Sequence, residues 1–137
     1  MKQIFLNLPV NDLLVSSVFY TALGFKNEPL FSGENQNCMV WSDQIYVMLQ
    51  TKAFFGSGNN KITAATHTHA SASFTLPVES LDKVNQMVES GLKSGGKEPI
   101  PMQDLGFMQI RTLEDPDGHT WGIIHLDIEE FKVFKEI

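Results

Sequence analysis

The residues in this sequence with the widest chemical reach are four histidines, one cysteine and Arg111. His67-Thr68-His69 comes nearest to a metal-ligand pattern. On an extended strand, residues two apart share a face, so two imidazoles there could begin a ligand set. The tripeptide lies in a polar stretch, however, and no third donor follows at a recognisable spacing, whereas a closed site needs about four. It reads as a solvated loop or the frayed start of a strand. His119 follows a turn, which predicts exposure, and His125 shares a strand face with Trp121, which predicts an interface role; neither has a visible base or nucleophile partner. Cys38 falls in an apolar strand-like run without a basic cluster, the setting of a small buried hydrophobe and not of a low-pKa nucleophile. Arg111 precedes an acidic turn. Its guanidinium could hold an anionic ligand in bidentate fashion or pair with Glu114 or Asp115.

These groups must be positioned by a chain of 137 residues, which fits one domain of the usual size of roughly 100–150 residues. Hydrophobic residues make up 42% and charged residues 19%, an ordinary globular balance. The formal net charge of -6 repels phosphate backbones and anionic lipid headgroups, so neither nucleic acid nor membrane is an expected partner. A lone cysteine cannot form an internal disulfide, and no apolar run reaches the roughly 18 residues that span a bilayer. The expected location is cytoplasmic.

Internal repetition organises the chain. Leu8-Pro9-Val10 recurs as Leu76-Pro77-Val78, and each copy leads through a capping segment, Asn11-Asp12-Leu13 or Glu79-Ser80-Leu81-Asp82, into a helical pattern. Leu13, Val18, Phe19 and Leu23 fall near one face of the first helix, and Leu81, Val84, Val88 and Leu92 recur on the second. Lys26-Asn27-Glu28-Pro29 then parallels Gly96-Lys97-Glu98-Pro99. Strand-like runs follow at 37–41 and 45–50, and again at 106–113 and 120–126, the last pair joined by the turn Asp115-Pro116-Asp117-Gly118. Each half therefore reads βαβββ. Module 1 covers about 1–52 and module 2 about 71–127. Between them 53–70, with Gly56-Ser57-Gly58-Asn59-Asn60 at its centre, reads as a linker or mobile loop. The tail 128–137 carries Ile128, Phe131, Phe134 and Ile137 at helical spacing.

Two stretches carry a resemblance that spans nearly the whole chain. They are Leu8-Pro9-Val10-Asn11-Asp12-Leu13 leading to Phe19-Tyr20 and Leu23-Gly24-Phe25, and Arg111 through Asp115-Pro116-Asp117-Gly118-His119 to Trp121. The chain resembles the vicinal oxygen chelate superfamily, which includes glyoxalase I, extradiol dioxygenases, and fosfomycin- and bleomycin-resistance proteins, and looks most like its small glyoxalase-like members. The resemblance implies an α+β fold in which two βαβββ modules form a cup-shaped mixed sheet with helices outside. Strand alternation then assigns the cup lining. Phe5 and Asn7 lie opposite Leu6, Leu8 and Val10; Tyr46, Met48 and Gln50 opposite Ile45, Val47 and Leu49; Ser73 and Thr75 opposite Phe74, Leu76 and Val78. The resemblance places Gly122 and Ile124 of the last strand inward as well, with Arg111 as a candidate anion clamp.

Metal-dependent members of that superfamily hold a divalent cation with His, Glu or Gln at four positions, which here match Phe5, Met48, Ser73 and Gly122. None is a good ligand for such an ion. The expected function is capture of a small, partly aromatic or hydrophobic molecule in the cup without a metal, and no cofactor is expected. The alternative is a lyase or isomerase resembling lactoylglutathione lyase, with a divalent metal on displaced ligands. The resemblance also implies a homodimer, often formed by exchange of modules through a linker such as 53–70.

Overall fold

The computed structural model describes residues 1–136. Both halves follow the expected order. The first comprises β1 (Ile4–Val10), α1 (Leu13–Leu23), β2 (Lys26–Glu28), β3 (Gln36–Val40) and β4 (Ile45–Thr51). The helix α2 (Lys52–Ser57) follows, and then the second half: β5 (Ser73–Pro77), α3 (Leu81–Lys93), β6 (Gln103–Asp104), β7 (Met108–Glu114) and β8 (Thr120–Leu126). The chain closes with α4 (Ile128–Lys135).

The strand orders are the same in the two halves, β1-β4-β3-β2 and β5-β8-β7-β6. In each, the first strand runs parallel to the last and the others pair antiparallel. Neither sheet closes on itself, which leaves one face of each open, as a cup-shaped α+β arrangement of two similar modules requires.

Local sequence explains how each module begins. Asp12 Oδ1 accepts the backbone N–H groups of Leu14 at 2.9 Å and Val15 at 3.1 Å, and 68 positions later Ser80 Oγ accepts that of Lys83 at 3.0 Å. Each cap satisfies otherwise orphaned helix N–H groups, a contribution of about 1 kcal/mol. The buried residues of α1 are Ser16, Phe19, Tyr20 and Leu23; those of α3 are Val84, Met87, Val88 and Gly91, the same positions displaced by 68. The two helices pack on each other, and Leu8, Val10, Leu76, Trp121 and Ile123 from the strands join them in one core. Gly91 makes that crossing possible, because a Cβ there would stand 2.6 Å from Leu113 Cδ2 and 3.2 Å from Leu23 Cδ2.

Two local expectations need correction, and a third holds. The segment read as a linker begins with α2, because Thr51 Oγ1 accepts the Phe54 N–H and the helix lies against β1 and β4. The outer strand of module 2 is broken: Lys97 makes an isolated bridge to Glu114, and the ladder resumes at Gln103. Pro99 and Pro101 lie between, where a missing N–H cannot extend a ladder. The tail is the expected helix, with Phe131 and Phe134 against Phe107 at ring-centroid distances of 5.1 and 4.8 Å, while Ile137 lies outside the described residues.

Candidate functional site

Alternation along the strands places the side chains of the first sheet as read from the sequence. Leu6, Leu8 and Val10 turn toward the helices with Val47 and Leu49, so Phe5 and Asn7 occupy the opposite face with their ladder neighbours. On that face Phe5 stacks flat on Tyr46, with centroids 4.4 Å apart, and the Tyr46 hydroxyl donates to Asp43 O while accepting from Gln3 Nε2. Met48 is buried beside Cys38, its ladder partner, and Gln50 Nε2 donates to Gln36 Oε1 at 3.1 Å. In the second sheet Leu76, Trp121 and Ile123 enter the core. Ser73 and Thr75 are exposed on the opposite face, where Gly122 lies alongside Thr75 and Ile124 is half-buried.

Two cavities adjoin the first sheet. One, of about 200 Å³, lies at the seam of the modules; Asn7 and Pro9 of β1 form one side, Phe74, His119 and Thr120 the other, and the segment from Ala64 to Ala72 crosses it. The second, of about 280 Å³, is walled by Asn7 and Gln50 of the sheet and by Phe54 and Phe55 of α2. Asn7 and Phe55 belong to both, so they divide one recess from the other. Of the ten expected lining residues, these cavities take in Asn7 and Gln50. Phe5, Tyr46, Met48, Ser73, Thr75, Gly122 and Ile124 line neither.

Arg111 is a correction. It lies two residues before the buried Leu113 on the same strand, so alternation sends it to the helix side and not to the open face. There its Nε and Nη2 donate to the two Glu98 oxygens at 2.8 and 2.7 Å, Nη2 also reaches Glu89 at 3.0 Å, and Nη1 donates to Asn85 Oδ1 at 3.1 Å. The guanidinium is therefore saturated by the protein, by Glu98 and Glu89 and not by Glu114 or Asp115. It holds the Glu98 carboxyl below the usual carboxylate range through this hydrogen bonding.

His119 is the second correction, since it is buried instead of exposed. Its Nε2 lies 2.8 Å from Pro9 O, and because a carbonyl can only accept, Nε2 carries the proton. The ring thus fastens the end of β1 to the turn that opens β8. The same turn is fixed by Asp115: Oδ1 accepts the N–H groups of Asp117 and His119, each at 2.9 Å, and Oδ2 accepts the Tyr20 hydroxyl at 2.6 Å. Trp121 Nε1 donates to that hydroxyl at 2.9 Å, and Asp117 Oδ1 accepts the Asn11 N–H at 2.8 Å. Burial pushes the Asp115 carboxyl up, opposed by His119 and by these hydrogen bonds, and burial beside Asp115 raises the Tyr20 phenol well above its ordinary value.

The segment over the seam rests on Gly118, whose φ is +86°. A Cβ at Gly118 would come within 2.5 Å of Thr66 O, and the Thr66 hydroxyl donates to Asp117 O. His67 and His69 lie in the turn that follows, with the N–H groups of Thr68 and His69 both directed to Ala65 O. They do not lie on a strand, so the geometry that would align two imidazoles is absent there. His69 borders the seam cavity, and its Nδ1 contacts Thr68 Oγ1 at 2.7 Å. Elsewhere, His125 Nδ1 donates to Val78 O at 3.3 Å, and burial raises the Cys38 thiol, which disfavours the thiolate.

The four positions that a metal would use do not fit one. Phe5 rests on Tyr46, Met48 offers a buried thioether, Ser73 a single exposed hydroxyl, and Gly122 no side chain. Divalent cations of the relevant kinds require nitrogen, thiolate or carboxylate-type oxygen donors. Among the described residues no group of three or more His, Cys, Asp or Glu comes together where it could hold an ion.

Paired βαβββ modules with the same strand order, fused through one core, define a class, and solved structures share it. A glyoxalase/bleomycin resistance protein/dioxygenase family enzyme from Burkholderia phytofirmans PsJN is 13% identical, with a TM-score of 0.73 over 92% of this chain and 99% of its own. A glyoxalase-related enzyme from Fulvimarina pelagi is 19% identical, with a TM-score of 0.77 over 91% and 88%. The hypothetical protein SA1046 from S. aureus reaches 22% identity and a TM-score of 0.78 over 91% and 94%. No family model and no curated protein matches the sequence. The chain therefore has the fold of the glyoxalase/bleomycin resistance/dioxygenase proteins.

His119, Phe55, Phe74 and Thr120 escaped the sequence reading of the site. Alternation does not bring Phe74 and Thr120 together, since Ser73 pairs with Thr120 on one face and Phe74 with Trp121 on the other. Nothing local announces the contact between His119 and Pro9, which are 110 residues apart.

Proposed function

We propose that this protein binds a small, uncharged, partly aromatic molecule without a metal, in the recess that Asn7 and Phe55 divide. The observation that carries the reading is the pair of adjoining cavities, each lined by phenylalanine and by the amide side chain of Asn7. Mostly apolar walls with a few polar groups are the usual composition of a binding site. A seam cavity of about 200 Å³ is smaller than the roughly 300–1,000 Å³ of sites for drug-sized ligands, so it suits a molecule of one or two rings. Phe55 and Phe74 offer ring contacts, while the Asn7 amide offers a donor and an acceptor. The protein's one guanidinium on β7 is occupied by Glu98 and Glu89, which favours an uncharged ligand over an anion.

The fold relatives include proteins described as bleomycin resistance proteins and as enzymes, and both kinds of activity are compatible with such a recess. A thermal-shift screen of uncharged one- and two-ring compounds, repeated with Asn7→Leu and Phe55→Ala, tests the proposal. Stabilisation of the native protein that is lost in both variants supports it. A folded protein that no compound stabilises overturns it, and stoichiometric metal in purified protein overturns the metal-free part. Turnover of methylglyoxal with glutathione would favour the lyase reading instead.

A further inference from the structure

The seam cavity is bordered by a polar atom that the fold orients and leaves without a partner. His119 is held at both ends: Asp115 Oδ1 accepts its backbone N–H at 2.9 Å, and Pro9 O stands 2.8 Å from its Nε2. Since the carbonyl can only accept, the proton stays on Nε2 and the lone pair of the neutral ring lies on Nδ1. Among the described residues no group of the protein bonds Nδ1. It is not sealed away either, because among those residues Ser16 Oγ is the one fully buried side-chain polar atom without a partner. His119 is only 9% exposed and its ring borders the seam cavity, so that cavity is where Nδ1 keeps its open surface. The nearby Thr66 hydroxyl does not serve it, being given to Asp117 O.

We propose that His119 Nδ1 is the recognition acceptor of the seam cavity, and that the ligand is a small ring compound with an O–H or N–H donor, such as a phenol or an indole-like heterocycle. This rests on the binding reading above and narrows it from uncharged ring molecules to those that can donate. A ligand that covers Nδ1 without a donor takes its water away and returns nothing, the costly case for a buried acceptor. A ligand with a donor meets an acceptor whose tautomer and ring orientation are already fixed, so little is spent on ordering it. Phe55 and Phe74 border the same cavity and offer faces for the ring that carries the donor. Asn7 and His69 border it too. His69 lies in an exposed turn, with its Nδ1 already 2.7 Å from Thr68 Oγ1, and lacks the anchoring of His119 at two points. A decisive measurement therefore reads the His119 ring itself.

Two matched pairs of probes test the proposal: phenol against anisole, and indole against N-methylindole, the methyl group in each case removing the donor. Affinities are read by NMR titration, and the nitrogen resonances of the histidine rings identify the acceptor. Phenol and indole are expected to bind about tenfold more tightly than their methyl derivatives. On binding, the His119 Nδ1 resonance should move toward that of a protonated nitrogen while Nε2 keeps its proton. His119→Phe, checked for folding by circular dichroism, should bring the members of each pair within about twofold of each other. Should that variant unfold, the nitrogen spectrum of the wild-type protein decides alone. Methyl derivatives that bind as well as their parents, a preference that persists in folded His119→Phe, or a donor that leaves His119 Nδ1 unmoved each overturn the proposal while leaving the recess a binding site. Failure of all four probes to bind overturns it as well, and the wider screen of uncharged ring compounds then decides the binding reading separately.

Discussion

Replacing Tyr20 by Phe removes one oxygen atom and tests what joins the two modules. The ring keeps its edge contacts with Phe19, Phe25 and Trp121, at centroid distances of 5.1, 5.4 and 5.8 Å, so packing is preserved. Two buried bonds are lost: the one given to Asp115 Oδ2 and the one received from Trp121 Nε1. A buried donor left without an acceptor costs about 1–3 kcal/mol, and a bond to a charged group contributes about 1.5–3 kcal/mol, so the expected loss is about 3–5 kcal/mol. That is a large part of a typical total of roughly 5–15 kcal/mol. With a urea slope of about 1–3 kcal/mol per molar, the unfolding midpoint, followed by tryptophan fluorescence, should fall by roughly 2 M at constant slope. The pH dependence adds a second readout. Burial already raises Asp115, and the Tyr20 bond works against that rise, so the variant carboxyl should titrate higher still. A carboxyl with a raised folded pKa favours the folded state at low pH and loses that contribution as pH rises through its folded value. The gap between variant and wild type should therefore widen from pH 3 to pH 7. A loss below about 1 kcal/mol with an unchanged slope would refute the view that this network bolts the halves together.

Three further outcomes follow from the same geometry. Gly118→Ala places a methyl against Thr66 O at a left-handed φ, which alone costs about 1–2 kcal/mol, so limited proteolysis should cut within 58–72 faster than in wild type; equal rates would contradict the seating of that segment. Glu98→Gln should destabilise the protein at pH 7, and because the Glu98 carboxyl lies below its ordinary value near 4.5, the difference should vanish as pH falls through the lowered folded value. Chemical denaturation at pH 7 and pH 3 reads it, and a constant difference would contradict the ion pair as its source. Ser16→Ala removes the buried hydroxyl that finds no partner and improves helix propensity, for an expected gain of about 0.5–1 kcal/mol in denaturant titration; a loss would show that the hydroxyl is satisfied in solution.

The fold was legible because it is written twice. Leu8-Pro9-Val10 and Leu76-Pro77-Val78 mark equivalent strands, and alternation around them assigns Leu6, Leu8 and Leu76 to the helix side. Helix caps are equally local, since Asp12 and Ser80 act on N–H groups within three residues. The seam was not legible, because it depends on which distant backbone groups meet. His119 looks exposed until Pro9 O is placed over it, and Arg111 looks free until Asn85, Glu89 and Glu98 converge on it. Alternation alone would have turned Arg111 away from the open face, given that Leu113 is apolar. The helix α2 was hidden by Gly56 within its six residues and by Gly58-Asn59-Asn60 directly after them, which give the stretch the composition of a loop.

The fastening at Tyr20 has a direction. The first half supplies the hydroxyl, and the second supplies the carboxylate of Asp115 and the indole of Trp121. At the position equivalent to Tyr20 the second half carries Val88, which can neither donate nor accept. The halves are thus alike in shape and unlike in polarity, as plug and socket are. A chain built from two first halves would bring together two hydroxyls without their acceptor, and one built from two second halves would bury a carboxylate against valine. The duplication can therefore be read forwards but no longer interchanged.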